Sequence, residues 1–383
     1  MSPRSLGGQR VAASEPRASR RFFRPTWAEI DLAKLRGNLK GFRARMPSGV
    51  RLMFVVKGNA YGHGALDCAR AAQQGRLADW LGVSSVEEGV QLREGGIRLP
   101  ILVLGSLYPF ESFLAAVEHG LTPTVASLES AQRLAQVARR LERPVDCHVK
   151  IETGMGRIGV GPQAAARIAD FLAGQPSLRL TGLYTHLSCV DTDKRFTKDQ
   201  LLRFQRAVAV FRGWKNLVLH AANSAAALNF PESRLDLVRP GLAIYGLYRG
   251  FDPVMSLKSQ VIFLKTVEAG APISYDASFR VKRRSRIATI PLGYADGLSR
   301  RFSTRGSVLL RGRRCPIVGR ITMDMTMIDV SASAECRVGD EAVILGDQGK
   351  ESITAGELAV LAETIPYEIT TMISHRVPRV YLP

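Results

Sequence analysis

The chain has 383 residues, 46% of them hydrophobic and 23% charged, an ordinary balance for a globular protein with two domains or one large barrel and an appendage. It contains no apolar run of the about 18 residues that would span a membrane, which excludes a helical membrane protein. Its five scattered cysteines include no CxxC pair and predict reduced thiols in the cytoplasm, with neither a disulfide framework nor a metal site. The formal net charge of +19 comes from arginines and lysines spread along the whole chain, so we predict a solvated basic surface and no nucleic-acid role.

Residues 1–24 are rich in Arg, Ser, Gly and Pro and lack the apolar core of a secretory signal, so they predict a disordered basic tail. Between residues 25 and 248, short apolar runs alternate with amphipathic stretches such as Ala65–Gln74, Leu128–Arg140 and Lys198–Arg212. This alternation predicts a (β/α)8 barrel, with an open doubly wound sheet as the alternative. The eight candidate strands are Leu52–Val56, Trp80–Ser84, Ile101–Leu104, Thr122–Val125, Val145–Lys150, Leu178–Tyr184, Leu217–His220 and Leu235–Arg239.

Residues 249–383 have a different pattern, with short β-rich runs separated by glycine or polar turns. This pattern predicts a mostly β second domain with a few helical turns near Ala355–Thr364. A further strand at Trp27–Leu32 is expected to join this domain. The candidate strands are Val261–Val267, Arg286–Pro291, Ser307–Leu310, Arg314–Val318, Thr326–Val330 and Glu341–Leu345.

Polar residues end or follow several of the predicted barrel strands, at the face where barrels place their chemistry. They are Lys57, Lys150, His186, His220 and Arg239. A lone histidine at such a place is usually a structural group, but five polar side chains at equivalent strand ends indicate a site. Burial lowers the pKa of a lysine, and a neutral amine attacks carbonyl groups, so Lys57 fits a Schiff-base lysine.

Two segments have the features of a phosphate site. The turn Arg239-Pro240-Gly241-Leu242 offers the backbone N–H groups of Gly241 and Leu242 beyond a strand end. Asn223-Ser224 can begin a helix whose hydroxyl and N–H groups face an anion.

These segments resemble the signature motifs of the alanine racemases, a fold-type III family of pyridoxal-phosphate amino-acid racemases. VVKGNAYGHG around Lys57 resembles the cofactor-lysine motif of that family, and the resemblance runs from about Ala28 to the C-terminus. The other motifs, in family order, are KIETGMGRIG from Lys150, THLS around His186, HAANSAA from His220, VRPGLAIYG from Val238, ISYDASF around Tyr275, LGYADG around Tyr294, GRITMDM up to Met325 and SHRVPR from Ser374. The resemblance implies the same fold, a cofactor-binding barrel followed by a β domain.

The resemblance also implies roles for single residues, with pyridoxal 5′-phosphate as the cofactor. Lys57 would carry the cofactor and act as one base, on the D-substrate face, and Tyr275 would be the second base, on the L-substrate face. Arg157 and the backbone N–H of Met323 would bind the substrate carboxylate. The implied cofactor contacts are Tyr61, Ser224, Gly241 and Leu242 at the phosphate, Arg239 at the pyridine nitrogen with His220 behind it, and His186 against the ring. The implied entrance residues are Asp191, Tyr294 and His375.

The implied function is the interconversion of L-alanine and D-alanine, which supplies D-alanine for cell-wall peptidoglycan. The implied assembly is a homodimer in which residues 249–383 supply Tyr275 and Met323 to the barrel of the partner subunit. Lys150 occupies the place where many family members carry a carbamylated lysine that orients the arginine corresponding to Arg157.

Three residues depart from the family pattern. Glu152 replaces the usual Asp and Gly58 the usual Ala, and we expect both changes to be mild. His375 replaces a tyrosine near the phosphate and the entrance, so a broader-specificity amino-acid racemase is the alternative function.

Other classes of protein remain open on the sequence alone. A basic amino-acid decarboxylase with a related barrel usually has an acidic residue at the pyridine nitrogen, unlike Arg239. A non-catalytic cofactor-binding barrel lacks the second domain and its tyrosine, so Tyr275 argues against it. A nucleic-acid-binding protein driven by the positive charge would bind tightly and lose that binding with salt.

Overall fold

The computed structural model describes residues 22–333 and 335–383. The predicted tail, residues 1–24, therefore lies almost wholly outside the described residues. The described chain begins with strand β1 (Thr26–Asp31) and helix α1 (Leu32–Ala44). The Asp31 carboxylate accepts the Lys34 N–H at 2.8 Å and so caps α1, whose apolar face buries Leu35, Leu39 and Phe42.

Eight parallel strands form the closed barrel predicted from the sequence. The strands are β2 (Arg51–Val55), β3 (Trp80–Val83), β4 (Ile101–Val103), β5 (Thr124–Val125), β6 (Val145–Lys150), β7 (Leu178–Tyr184), β8 (Val218–His220) and β9 (Leu237–Val238). They pair in the orders β4-β3-β2-β9 and β5-β6-β7-β8. Bridges between Leu102 and Thr122 and between Asn223 and Arg239 join the two sets. The barrel prediction is confirmed, and the open sheet is wrong.

The barrel helices follow the strands in the expected alternation. They are α2 (Lys57–Tyr61), α3 (Ala65–Gln74), α4 (Val86–Glu94), α5 (Phe110–Glu118), α6 (Leu128–Arg140), α7 (Pro162–Ala173), α8 (Lys194–Val210) and α9 (Ser224–Asn229). Helix α8 begins four residues before its predicted start because the Asp193 carboxylate accepts the Phe196 N–H and caps it there. Inside the barrel, side chains from five strands meet in a buried cluster of Met53, Leu102, Tyr184, Val218 and Leu237.

The chain after the barrel is rich in strands. They are β10 (Met255–Gln260), β11 (Phe263–Val267), β12 (Pro272–Ile273), β13 (Phe279–Arg280), β14 (Ser285–Ile290), β15 (Ser307–Leu310), β16 (Arg313–Pro316), β17 (Thr326–Asp329), β18 (Glu341–Gln348), β19 (Glu351–Ile353) and β20 (Arg379–Leu382). Two helices, α10 (Ala355–Ala362) and α11 (Pro366–Thr371), lie between β19 and β20. The main sheet has the order β16-β15-β18-β10-β1-β20, with β19 paired to β18. A second sheet has the order β11-β14-β17, and β12 and β13 form a hairpin.

Strand β1 joins this sheet, as predicted for Trp27–Leu32. Ile30 lies opposite Met255 in antiparallel β10 and opposite Tyr381 in parallel β20. The mostly β prediction for the second region is confirmed, while its boundary at 248/249 stays a prediction. Within the described ranges, no helix has the length and apolar character needed to cross a bilayer.

Candidate active site

Lys57 lies directly after strand β2, in a turn with an uncommon backbone conformation. Gly58, Asn59, Ala60 and Tyr61 all have positive φ values, between 53° and 61°, so helix α2 is one left-handed turn. Such residues cost free energy and persist only where neighbouring contacts fix them. The Val56 carbonyl accepts the Ala60 N–H at 2.8 Å, and the Asn59 side chain accepts the Ala65 N–H at 2.9 Å.

The Glu88 carboxylate holds the same turn from helix α4. It accepts the Gly58 N–H at 2.6 Å and the Ser84 N–H at 2.7 Å. Burial and the positive charge of Arg157 lower the pKa of Lys57, while Glu88 raises it. The first two effects prevail, which favours the neutral, nucleophilic amine.

Arg239 directly follows strand β9 at the same face of the barrel, and its guanidinium is buried. It donates to the Thr185 carbonyl at 2.6 Å, to the Ala221 carbonyl at 3.0 Å and to Nδ1 of His220 at 3.0 Å. Burial lowers the pKa of Arg239 to about 10, so the side chain remains charged at neutral pH.

His220 passes this hydrogen bond on to a second buried histidine. Because arginine only donates, His220 accepts at Nδ1, carries its proton on Nε2 and donates to Nδ1 of His148 at 2.9 Å. Burial and the charge of Arg239 hold the pKa of His220 well below its usual range. Nε2 of His148 is buried without a hydrogen-bond partner among the described residues.

The ring of Tyr184 lies under several of these groups. Nζ of Lys150 is 5.5 Å and Cζ of Arg239 is 5.4 Å from its ring centroid, and the His220 ring stacks on it at 4.8 Å. Burial and the charges of Arg157 and Arg239 lower the pKa of Lys150 to about 8. Burial and four cations, Arg239 first, lower the pKa of His186 to about 3. This end of the barrel is therefore strongly positive and suits an anionic ligand.

The predicted phosphate segments meet beside the Lys57 turn. Asn223 caps helix α9 through the Ala226 N–H, and Oγ of Ser224 accepts the N–H groups of Gly241 and Ala243 at 3.1 and 3.2 Å. A Cβ on Gly241 would meet Oη of Tyr61 at 2.6 Å. The glycine at 241 lets the Tyr61 hydroxyl come this close to the backbone. Tyr61 and Ser224 therefore both contact the turn at Gly241, and Leu242 is the next residue of that turn.

Three predicted residues of the second region, Tyr275, Tyr294 and Met323, are exposed. The Tyr294 N–H donates to the Thr322 carbonyl and the Ala295 N–H to the Met323 carbonyl, so the turns of Tyr294 and Met323 lie side by side. Tyr275 is 67% exposed and Met323 53% exposed. The Tyr275 hydroxyl makes no hydrogen bond within the ranges that the structure describes.

His375 and Asp191 are also exposed. The Asp191 carboxylate accepts the Tyr248 hydroxyl at 3.2 Å. Helix α11 packs on α2, where the Tyr61 and Tyr367 ring centroids are 6.4 Å apart. His375 lies in the turn that follows α11.

Comparisons with known proteins agree with this architecture. Residues 30–249 match the family description "Alanine racemase, N-terminal domain", and residues 254–381 match "Alanine racemase, C-terminal domain". The chain belongs to the alanine racemase family. An alanine racemase of Symbiobacterium thermophilum is 46% identical over 94% of this chain and 97% of that protein. One of Halothermothrix orenii is 41% identical over 95% of this chain and 98% of that protein.

Solved structures of alanine racemases are similar throughout. The one from Bacillus anthracis with bound L-Ala-P has a TM-score of 0.90 at 35% identity, covering 95% of this chain and 96% of that chain. The one from Streptomyces lavendulae has a TM-score of 0.89 at 37% identity, covering 94% and 98%. This alanine racemase family member is an isomerase that racemises alanine with pyridoxal 5′-phosphate, and D-alanine serves peptidoglycan synthesis.

The residues present fit that cofactor. The positive barrel mouth suits its phosphate, the glycine at 241 leaves room beside the Tyr61 hydroxyl, and Lys57 has the lowered pKa that a carbonyl-binding amine requires.

Several residues of this site were not predicted from the sequence. Glu88 could have been found, because Ser85 and Glu88 have the spacing of a capping box. His148 could also have been found, since alternation along β6 places it on the same face as Lys150. No sequence signal pointed to Tyr184 or Tyr367.

Proposed function

We propose that Lys57 and Tyr275 are the two bases of alanine racemisation, working on opposite faces of the substrate. The observation that carries this proposal is the contrast between them. Lys57 lies in the barrel mouth with a lowered pKa, while Tyr275 is two-thirds exposed on a turn of the second region. Ser274 Oγ donates to the Arg320 carbonyl at 2.6 Å and Arg320 pairs with Asp276 at 2.5 Å, so both neighbours of Tyr275 contact Arg320.

When bound, pyridoxal phosphate withdraws electron density from the substrate α-carbon and lets its proton leave. Lys57 removes that proton from one face, and the Tyr275 hydroxyl supplies a proton to the other; the roles reverse for the opposite enantiomer. Tyr61, Asn223, Ser224, Gly241 and Leu242 would hold the phosphate. Arg239 would lie at the pyridine nitrogen and, because it remains charged, disfavour its protonation. His186 would lie against the ring.

Arg157 and the Met323 N–H would bind the substrate carboxylate. The Arg157 guanidinium makes no hydrogen bond or ion pair within residues 22–333 and 335–383, and the Met323 N–H donates to no acceptor there. Both groups are therefore available to an anion. Asp191, Tyr294 and His375 would line the approach.

We further propose a homodimer in which Tyr275 and Met323 complete the barrel mouth of the partner subunit. Met325 and Met372 are further exposed apolar side chains of this region, and an exposed apolar surface is typical of a region covered by another chain. We also propose that the protein works in the cytoplasm, because its five cysteines form no disulfide bond.

Mixed dimers test both proposals together. Lys57→Ala and Tyr275→Phe subunits are each expected to be inactive alone, but after exchange a mixed dimer contains one intact site. Random mixing should restore about a quarter of the wild-type activity, because half of the dimers are mixed and one of their two sites works. Mixing Tyr275→Phe with the double variant is the matched control and should restore none. Absence of recovery after verified exchange would show that the sites are built within single chains.

A further inference from the structure

The segment after strand β6 forms a small closed loop that carries Arg157. The Val160 N–H donates to the Lys150 carbonyl at 2.7 Å, and the Glu152 N–H donates to the Val160 carbonyl at 3.0 Å. These two bonds close residues 153–159 at their base. Within the loop, Gly154 and Gly156 have φ values of 138° and 69°, which residues other than glycine rarely adopt.

The Glu152 carboxylate lies inside this loop and binds its backbone. Oε1 accepts the N–H groups of Gly154 at 2.5 Å and Met155 at 2.6 Å, and Oε2 accepts those of Gly156 at 3.1 Å and Arg157 at 3.4 Å. Four consecutive backbone donors thus converge on one side chain. These bonds lower the pKa of Glu152 against the opposing effect of its burial, so the carboxylate stays ionised at neutral pH.

The loop has few other internal supports at its tip. Arg203 donates to the Thr153 carbonyl at 3.1 Å, and Oγ1 of Thr153 lies 2.7 Å from Oγ1 of Thr185, so the first residue is fixed from outside. The backbone of Met155, Gly156 and Arg157 is fixed by Glu152. The place of the Arg157 Cα therefore depends on that carboxylate, while the guanidinium remains exposed.

We propose that Glu152 is a positioning residue that sets Arg157 for the substrate carboxylate by holding the four N–H groups of its loop. This inference rests on the proposed role of Arg157 in substrate binding. A carboxylate can accept from all four donors, whereas a glutamine of the same shape would turn its own NH2 group toward two of them. Donors that lose a charged acceptor lose an unusually strong hydrogen bond.

The test compares Glu152→Gln, Glu152→Asp and Arg157→Ala in the holoenzyme, with Glu118→Gln as the control. Glu118 is an exposed carboxylate at the end of α5. The first measurement is amide hydrogen exchange of residues 153–158. The second is the affinity for propionate, a carboxylate that lacks the reacting amine, measured as a competitive inhibitor. The third is the separate change of kcat and KM for alanine.

Glu152→Gln should speed exchange in the loop by about tenfold or more, weaken propionate binding and raise KM by about tenfold, and change kcat by less than about threefold. When binding of the carboxylate weakens equally in the ground state and the transition state, KM rises and kcat does not change. A general loss of folded protein does not have this effect. Glu152→Asp keeps the charge and should recover most of the affinity, and Glu118→Gln should resemble the wild type.

Arg157→Ala separates the two levels of the argument. If it leaves propionate affinity unchanged, the proposed role of Arg157 is wrong and the inference is overturned with it. If it abolishes that affinity while Glu152→Gln leaves affinity and exchange unchanged, only the positioning role of Glu152 is overturned. Equal losses in Glu152→Gln and Glu152→Asp would also overturn the role of the charged carboxylate.

Discussion

Two glycines of the Lys57 turn allow a matched test of why this turn exists. Gly58 and Gly62 both have left-handed backbones, with φ values of 61° and 86°. A Cβ on Gly58 would have only Thr371 Cγ2 near it, at 3.7 Å, which is an ordinary contact. A Cβ on Gly62 would lie 2.1 Å from the Thr370 carbonyl oxygen, so α11 would have to move.

The expected loss of stability follows from these two environments. An alanine in a left-handed conformation costs about 1–2 kcal/mol, and its restricted unfolded state returns about 0.4–1 kcal/mol. Gly58→Ala should therefore cost about 0–1.5 kcal/mol. Gly62→Ala carries the same cost plus about 1–3 kcal/mol for overpacking against backbone. The difference between the variants should be about 1–3 kcal/mol, or about 5- to 150-fold in the unfolding equilibrium.

The assay is the thermal midpoint of each holoenzyme at one fixed concentration of pyridoxal phosphate, since bound cofactor itself raises the midpoint. Racemase activity is measured beside it. Gly58→Ala should keep most of the activity, and the alanine racemases usually have alanine at this place. Gly62→Ala should have the lower midpoint and weaker cofactor binding, because α11 packs against the cofactor turn. Equal midpoints for the two variants would refute the steric argument, and a lower midpoint for Gly58→Ala would reverse it.

Further expectations concern the two bases, the entrance and the buried histidines. Lys57→Ala should remove the absorbance of covalently held cofactor and all racemisation while the protein stays folded; a borohydride-reducible bond at wild-type level would contradict this. Tyr275→Phe should slow racemisation by about 10² or more, while exchange of the D-alanine α-proton with solvent should survive better; full activity would exclude Tyr275 as a base. His375→Tyr should raise the specificity constant for alanine relative to serine, by no more than the about 1–3 kcal/mol that one or two methylenes contribute; an unchanged ratio and unchanged cofactor affinity would remove His375 from the entrance. Burial lowers the pKa of the buried His63 to about 4 in the folded protein, whereas the unfolded chain binds the proton below about pH 6.5. As the pH decreases from about 6.5 to about 4, His63 alone should therefore lower the free energy of unfolding by about 1.4 kcal/mol per pH unit. His63→Asn should flatten that pH dependence of the free energy of unfolding, and an unchanged slope would contradict the lowered pKa of His63.

The barrel could be predicted because its signals are local. Each strand is a short apolar run, and a helix such as α6 has a cap and an apolar face of its own. The sequence missed β10 and β20, which depend on pairing with the distant strand β1. The segment Met255–Gln260 is MSLKSQ, with no β-branched residue, and only its alternate burial between neighbours makes it a strand.

The candidate site could be predicted wherever a functional side chain follows a strand, as Lys57 and Arg239 do. The roles of single residues came from the family resemblance and remain predictions until they are tested. What the sequence could not provide were the supporting contacts. The four bonds of Glu152 depend on two left-handed glycines in a closed loop, and the Tyr184 ring lies under Lys150 and Arg239, which come from other barrel strands.

The position of β1 has a consequence for how the protein is made. Thr26–Asp31 leaves the ribosome among the first described residues, but its partners β10 and β20 are synthesised only after the whole barrel. The nascent chain keeps this strand unpaired while the barrel forms. The main sheet closes last, because it depends on contacts between residues far apart in the sequence, and such contacts form slowly. Until then both edges of β1, which later pair with β10 and β20, stay unpaired. During synthesis, β1 is therefore open to incorrect pairing with other strand edges.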